Sequence, residues 1–275
     1  MKRILLTVEY DGTAYAGWQR QINGLAVQQV LEEKLSKACG EPIRVTGASR
    51  TDAGVHAAGQ RVHFDTGCSI PPERFPFVLN TILPGDIRVQ AGREVPADFH
   101  ARFLSDGKCY TYRIINNRHG SALLRRTHVH VPVPLDLAPM REAARDLLGR
   151  HDFAAFQAAG GTAKTTWRTI RSVDLRQEGP CITFTIEGNA FLYNMVRIIA
   201  GTLIDIGQGK RDTAAFRRAL TTRDRLELGP TAPPHGLELT RVDYPALAFT
   251  DPAAIRWHQE SKEEDCHGTP GNAAD

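Results

Sequence analysis

Apolar and polar positions alternate at the start of the chain, and residues 4–10 read as a strand closed by Asp11-Gly12. The period then lengthens. Val27, Val30, Leu31 and Leu35 recur at three- and four-residue steps, which predicts a helix over residues 25–38 that Gly40 stops. Alternation returns over residues 42–47 and 60–65, where Val62 and Phe64 interleave with Arg61 and His63. Residues 71–83 carry Pro71 and Pro72 near the first turn of a second helix, and residues 87–95 read as a further strand. The order β-α-β-β-α-β is that of a ferredoxin-like unit, an arrangement that RNA-recognition domains use.

The rest of the chain repeats this order without repeating the sequence. Residues 108–116 alternate as a strand, and residues 136–148 place Leu137, Met140, Ala144, Leu147 and Leu148 on one helical face. Residues 168–176 and 180–187 predict a hairpin around Glu178-Gly179. Residues 191–206 form a long apolar helix, and residues 237–244 close with a strand. The expected fold is therefore α+β, with two ferredoxin-like, RRM-like halves of antiparallel sheet, residues 1–105 and 106–245. Residues 246–275 are charged and lack apolar periodicity, which predicts a disordered acidic tail.

Charge refines this picture slightly. The net charge is +3, but residues 251–275 hold six acidic and two basic residues, a net of −4, which leaves +7 on residues 1–250. Arginine far outnumbers lysine there, which suits phosphate recognition by planar forks and permits a nucleic-acid partner. Five scattered cysteines with no C-x-x-C imply neither a disulfide framework nor a zinc site, so a reducing compartment is expected. The apolar start is too short for a signal peptide, and no run approaches the roughly 20 residues of a membrane span. The expectation is a soluble, cytoplasmic protein with no membrane association.

The most informative stretch is residues 48–60, ASRTDAGVHAAGQ, between two predicted strands. It places Asp52 behind Arg50 and Thr51 and ahead of a Gly54 turn. Such a run can be a plain Asx turn. It can also be a carboxylate held ionised on a rigid scaffold, the setting in which catalytic residues tend to lie. With VEYDGTAYAGWQRQ, NTILPGDI, DFHARF and NAFLYNMVRIIAGTL, the string RTDAGVHA resembles the tRNA pseudouridine synthase A family, the match running in order from Leu5 to Tyr244. Ser49, where the family more often has Gly, and the looser KTTW at 164–167 are departures.

The resemblance implies an enzyme that isomerises uridines at positions 38, 39 and 40 of the tRNA anticodon stem-loop, a homodimer, and a central catalytic cleft between the halves. It implies Asp52 as nucleophile and Tyr110 as the ring that stacks on the target uracil. No metal or organic cofactor is expected, because the isomerisation involves no redox change. Arg50 is a candidate either to hold Asp52 ionised or to enter the space of a flipped base. Arg197 lies within the apolar helix, and a buried arginine needs a carboxylate partner, which predicts an Arg197–Asp52 ion pair across the two halves. Tyr110 and Tyr112, at period two, project to the same face. Asn189, Tyr193 and Asn194 are candidates to cap the long helix or to approach substrate. The 17–21 loop with Trp18, and Arg102, Arg125 and Arg126, are candidates for RNA contact or a basic groove, whereas His56, His63 and His100 lack metal-ligand spacing. Two alternatives belong to other classes: a non-catalytic RNA-binding protein, and an Asp-dependent nucleoside hydrolase that would release free uracil.

Overall fold

The computed structural model describes residues 1–249. Strand β1 (Lys2–Tyr10), helix α1 (Val27–Cys39), strands β2 (Thr46–Gly47) and β3 (His56–Thr66), helix α2 (Phe75–Asn80) and strand β4 (Ile87–Val95) form the first set of elements. The second comprises β5 (Gly107–Ile115), β6 (Val129–His130), α3 (Leu137–Ala144), β7 (Gly149–Asp152), β8 (Trp167–Glu178), β9 (Cys181–Gly188), α4 (Met195–Gly207), α5 (Ala215–Thr222) and β10 (Leu237–Asp243).

All the strands join one sheet in the order β4-β1-β3-β10-β5-β9-β8-β7, with β2 added to β3 and β6 to β5. Its pairings are antiparallel except β3–β10 and β5–β6. Both sets follow the same internal pattern, β4-β1-β3-β2 and β10-β5-β9-β8, the antiparallel order of a ferredoxin-like unit. The last strand is the seam. β10 pairs in parallel with β3 at His56 and Ala57, and antiparallel with β5 from Leu237 to Asp243. A single cluster of buried side chains spans the seam, from Leu5 and Phe64 to Phe184 and Ile199.

Strand β2 is short. The sequence predicts a strand over residues 42–47, but only Thr46 and Gly47 pair with β3. Pro42 has no N–H to give a ladder, and side chains of α1 capture the next free amides. Ile43 N donates to Ser36 Oγ at 2.9 Å and Val45 N to Glu32 Oε1 at 3.1 Å. At the other end of β3 the chain leaves the ladder after Gly47 to form the Asp52 loop, so the edge at His56 and Ala57 is open to β10.

Other boundaries also shift. The helix expected over 71–83 is a 3-10 turn, Pro72–Arg74, followed by the short α2. The strand expected from residue 60 begins at His56, and α5 and β7 were not foreseen. The first residues assigned to the expected tail, Ala246–Phe249, form a 3-10 turn whose Phe249 ring stacks on Phe99 at 5.9 Å and lies under Arg93. The remainder of that tail lies outside the described residues. Among the described residues no helix is long and apolar enough to cross a membrane.

Helix α4 is apolar nearly all round, a composition that would suit a dimer contact. The chain itself uses those surfaces: Met195, Ile198, Ile199, Leu203 and Ile206 are each 0–1 % exposed. Segment 228–232 crosses the helix closely. Gly229 N donates to the buried Thr202 Oγ1 at 2.8 Å, and Ala232 N to the Arg197 carbonyl at 3.0 Å. A Cβ at Gly201 would collide with the Pro230 carbonyl oxygen. In an exposed helix Gly→Ala stabilises by about 1 kcal/mol. Here the clash is with backbone, so Gly201→Ala is expected to destabilise by about 1–3 kcal/mol, read as a lower urea midpoint at unchanged m-value.

Candidate active site

The Asp52 loop is fastened at almost every residue. Ala48 N donates to the Arg61 carbonyl at 2.8 Å, and Trp18 N to the Thr51 carbonyl at 3.0 Å. The fully buried Gln60 amide holds both sides of Ser49, accepting from its N–H at 3.2 Å and donating to its carbonyl at 2.7 Å. The Tyr10 and Thr51 hydroxyls are hydrogen-bonded at 2.7 Å. Val55 N returns to the Asp52 carbonyl at 3.1 Å, closing a turn in which Gly54 has φ 77°, a left-handed conformation that glycine adopts without a Cβ penalty.

Arg197 meets this loop from α4. Its Nη1 lies 3.1 Å from Asp52 Oδ2 and 2.7 Å from Asn194 Oδ1, and its Nε donates to the Ala232 carbonyl at 2.8 Å. The sequence-predicted pair is thus present, joining residues 145 positions apart. The guanidinium is 15 % exposed and the carboxylate 24 %, so the pair lies in a recess that keeps an opening to solvent. Asp52 Oδ1 accepts no hydrogen bond from the described residues.

Desolvation raises the Asp52 carboxyl above the ordinary range of an aspartate, and the Arg197 hydrogen bond and charge offset this only in part. The balance amends the expectation of an acid simply held ionised by a cation: Arg197 limits a penalty that burial imposes.

Arg50 does not take part in the pair. It is exposed and forms no ion pair among the described residues. Geometry explains the difference: residue 50 projects outward between the buried Ser49 and Thr51, while Asp52 turns toward α4. Asn194 does not cap α4 with its side chain. It occupies the N-cap position in the left-handed region, φ 61°, and its Oδ1 accepts from Arg197 instead. Asparagine tolerates that conformation better than most residues, and the bend it makes starts α4 at Met195 rather than at the expected residue 191.

Tyr110 on β5 is 6 % exposed, and its hydroxyl is 2.8 Å from Ser49 Oγ. Phe191 stands edge-on to its ring at 5.2 Å and 85°. Burial first, and the nearby Asp52 charge in addition, push its phenol up to about 12 against the Ser49 hydrogen bond. Tyr112 is fully buried and donates to the Pro233 carbonyl at 2.9 Å. Trp18 is a core anchor, 2 % exposed and stacked on Tyr10 at 6.0 Å, and Arg20 beside it pairs with Glu32.

Sequence reasoning missed Gln60, Phe191 and the backbone of Ala232 as parts of this site. Gln60 gave only a weak signal, a polar residue at an inward position of a strand. Ala232 gave none, since it acts through its carbonyl. Among the described residues no group of three His, Cys, Asp or Glu side chains is arranged to hold a metal ion.

The raised Asp52 value fixes a sign for stability. A carboxyl whose folded pKa exceeds its unfolded value contributes most below the unfolded pKa, and that contribution is lost as pH rises through the folded pKa. Asp52→Asn removes this titration. The stability of the variant relative to the parent should therefore increase as pH rises from the ordinary aspartate range through the raised value of Asp52, measured by urea unfolding over that interval. A relative loss over that interval would mean that Arg197 outweighs burial.

Comparison with known proteins follows the same residues. A family model described as tRNA pseudouridine synthase matches residues 6–104 and 143–245. The chain is 47 % identical over 245 residues to tRNA pseudouridine synthase A of Ruminiclostridium cellulolyticum, covering 89 % of this chain and 100 % of the relative. It is 50 % identical over 238 residues to tRNA pseudouridine synthase A of Halalkalibacterium halodurans, covering 86 % and 90 %. A solved structure of an H/ACA RNP bound to a substrate RNA containing 2′-deoxyuridine aligns over 73 % of this chain and 44 % of its own at 11 % identity and a TM-score of 0.35. On the extent of the family match and the identity to these full-length relatives, the chain belongs to the tRNA pseudouridine synthase family.

Proposed function

We propose that this protein converts uridine to pseudouridine in tRNA, at positions 38, 39 and 40 of the anticodon stem-loop, with Asp52 as the nucleophile. The reaction breaks the C1′–N1 bond, turns the uracil and joins C1′ to C5. The C5 proton is lost and N1 gains one, so the product is an isomer of the substrate. The chemistry asks for a carboxylate able to form or stabilise a covalent adduct, and for walls that retain the detached base. The observation that carries the reading is the recessed Asp52–Arg197 pair, a carboxylate bonded through one oxygen and 24 % exposed.

In this reading Arg197 is a positioning residue. It keeps Asp52 ionised against the pull of burial and fixes which oxygen faces the opening. Tyr110 supplies a flat wall on which the extruded uracil stacks. Arg50, exposed beside the loop, is placed to contact RNA or to occupy the space left by the base. Residues 1–105 and 106–245 act as two halves, each supplying one member of the pair. The protein works in the cytoplasm as a homodimer across which one tRNA lies.

The test is to map pseudouridine in tRNA treated with the parent protein and with Asp52→Ala. The parent is expected to isomerise uridines of the anticodon stem-loop without releasing free uracil. Asp52→Ala should lose at least about a thousandfold in rate while binding tRNA with little change. Unmodified tRNA after treatment with the parent would sink the proposal, and free uracil would point to a hydrolase.

A further inference from the structure

The ring proposed to stack on uracil is held by a bond of its own. The backbone of Tyr110 is fixed on both sides by the sheet, opposite Leu239 of β10 and Ile186 of β9. These ladders leave only the side-chain torsions to place the ring. Phe191, edge-on at 5.2 Å, bounds it on one side. Its phenol oxygen bonds the Ser49 hydroxyl at 2.8 Å in a buried contact, and neither hydroxyl has a second hydrogen-bond partner among the described residues.

Ser49 is equally constrained. The Gln60 amide clamps its N–H at 3.2 Å and its carbonyl at 2.7 Å, and Gln60 is fully buried. The torsion about Cα–Cβ is left to aim the hydroxyl. Ser49 precedes Asp52 in the same fastened loop, so the bond joins the ring to the segment that carries the carboxylate. Ring and carboxylate are electrostatic neighbours, since the Asp52 charge adds to burial in raising the Tyr110 phenol. Across Arg50, the Thr51 hydroxyl makes a second bond of the same kind to Tyr10 of β1, at 2.7 Å.

Stability alone gives little reason for such a bond. Two buried hydroxyls that satisfy only each other contribute little net, and an Ala–Phe pair of similar shape would bury no polar group at all. What the hydroxyls add is direction, because a hydrogen bond fixes distance and angle where an apolar contact does not.

We infer that Ser49 is a positioning residue, which acts through the Tyr110 hydroxyl to set the spacing and tilt of that ring relative to Asp52. The inference rests on the proposed function and adds what aims the stacking wall. A uracil detached from C1′ must turn until C5 faces that carbon, and a wall held at one place limits the orientations in which it can settle. Small errors of placement are costly to such a step. The bond itself is buried, so its loss acts on conversion rather than on the binding of tRNA.

The experiment compares the full-length parent, Ser49→Ala and Ser49→Thr in single-turnover conversion of tRNA and in tRNA binding. Urea unfolding is measured for Ser49→Ala, Tyr110→Phe and the double variant. Ser49→Ala should lower the single-turnover rate about 10- to 100-fold with the tRNA dissociation constant unchanged. Ser49→Thr, which keeps the hydroxyl, should recover most of the rate. In the unfolding series the folding equilibrium constant of the double variant should exceed the additive expectation by about 3- to 10-fold. A Ser49→Ala rate equal to that of the parent would overturn the inference, and so would a loss confined to tRNA binding. Additive unfolding would overturn it too, because the two hydroxyls would then not be coupled. These outcomes do not depend on the threonine variant folding. A parent that leaves tRNA unmodified would overturn the proposed function and the positioning role with it, while non-additive unfolding would still show the tether; an active parent with an equally active Ser49→Ala sinks the inference alone.

Discussion

Everything at the site depends on placing one guanidinium against one carboxylate that lies 145 positions away in the chain. An unpaired arginine in the apolar α4 would be very costly, and an isolated Asp52 in the same recess would favour its protonated form. Neither is stable alone, so the pair specifies how the two sets of strands must meet. Arg197 is satisfied three times, by Asp52, Asn194 and the Ala232 carbonyl. Such planar, multidentate engagement is beyond a lysine. The arrangement constrains the loop on one side, the helix start on the second and the 228–232 crossing on the third.

The sheet is the frame that makes this placement rigid. β10 binds β3 and β5 at once, so the Asp52 loop, which leads into β3, and Tyr110 on β5 are held at a fixed separation by backbone ladders. Buried hydroxyls refine the frame. Ser49 with Tyr110, and Thr51 with Tyr10, tie alternate residues of the loop to rings from two different strands. Gln60, fully buried, spends its amide on the Ser49 backbone. A loop pinned in this way loses little further entropy when it meets a ligand, which is the physical content of preorganisation.

Electrostatics divides the surface by role. Many arginines are bound to carboxylates and contribute to structure, while Arg50, Arg118 and Arg125 are exposed without a carboxylate partner among the described residues. The modest net charge of the chain therefore conceals local patches of uncompensated arginine.

The β-α-β-β-α-β order of the first set of strands, the helical stripe of Val27, Val30, Leu31 and Leu35, the alternation of β1 and β5, and the need of a buried Arg197 for an acid were all legible in the sequence. Each follows from periodicity or from the cost of burying charge, which are local properties of the chain. The residues RTDAGVHA likewise pointed to Asp52 before any coordinates. What the sequence could not decide was competition between partners. Glu32 and Ser36 of α1 take the amides that would have extended β2, and β10 claims the far end of the same edge of β3, at His56 and Ala57. Asn194 gives up capping for Arg197, and Arg50 loses Asp52 to a residue 145 positions away. These outcomes depend on distances set only when remote segments pack, because a hydrogen-bonding group chooses among the neighbours that the tertiary structure brings within reach.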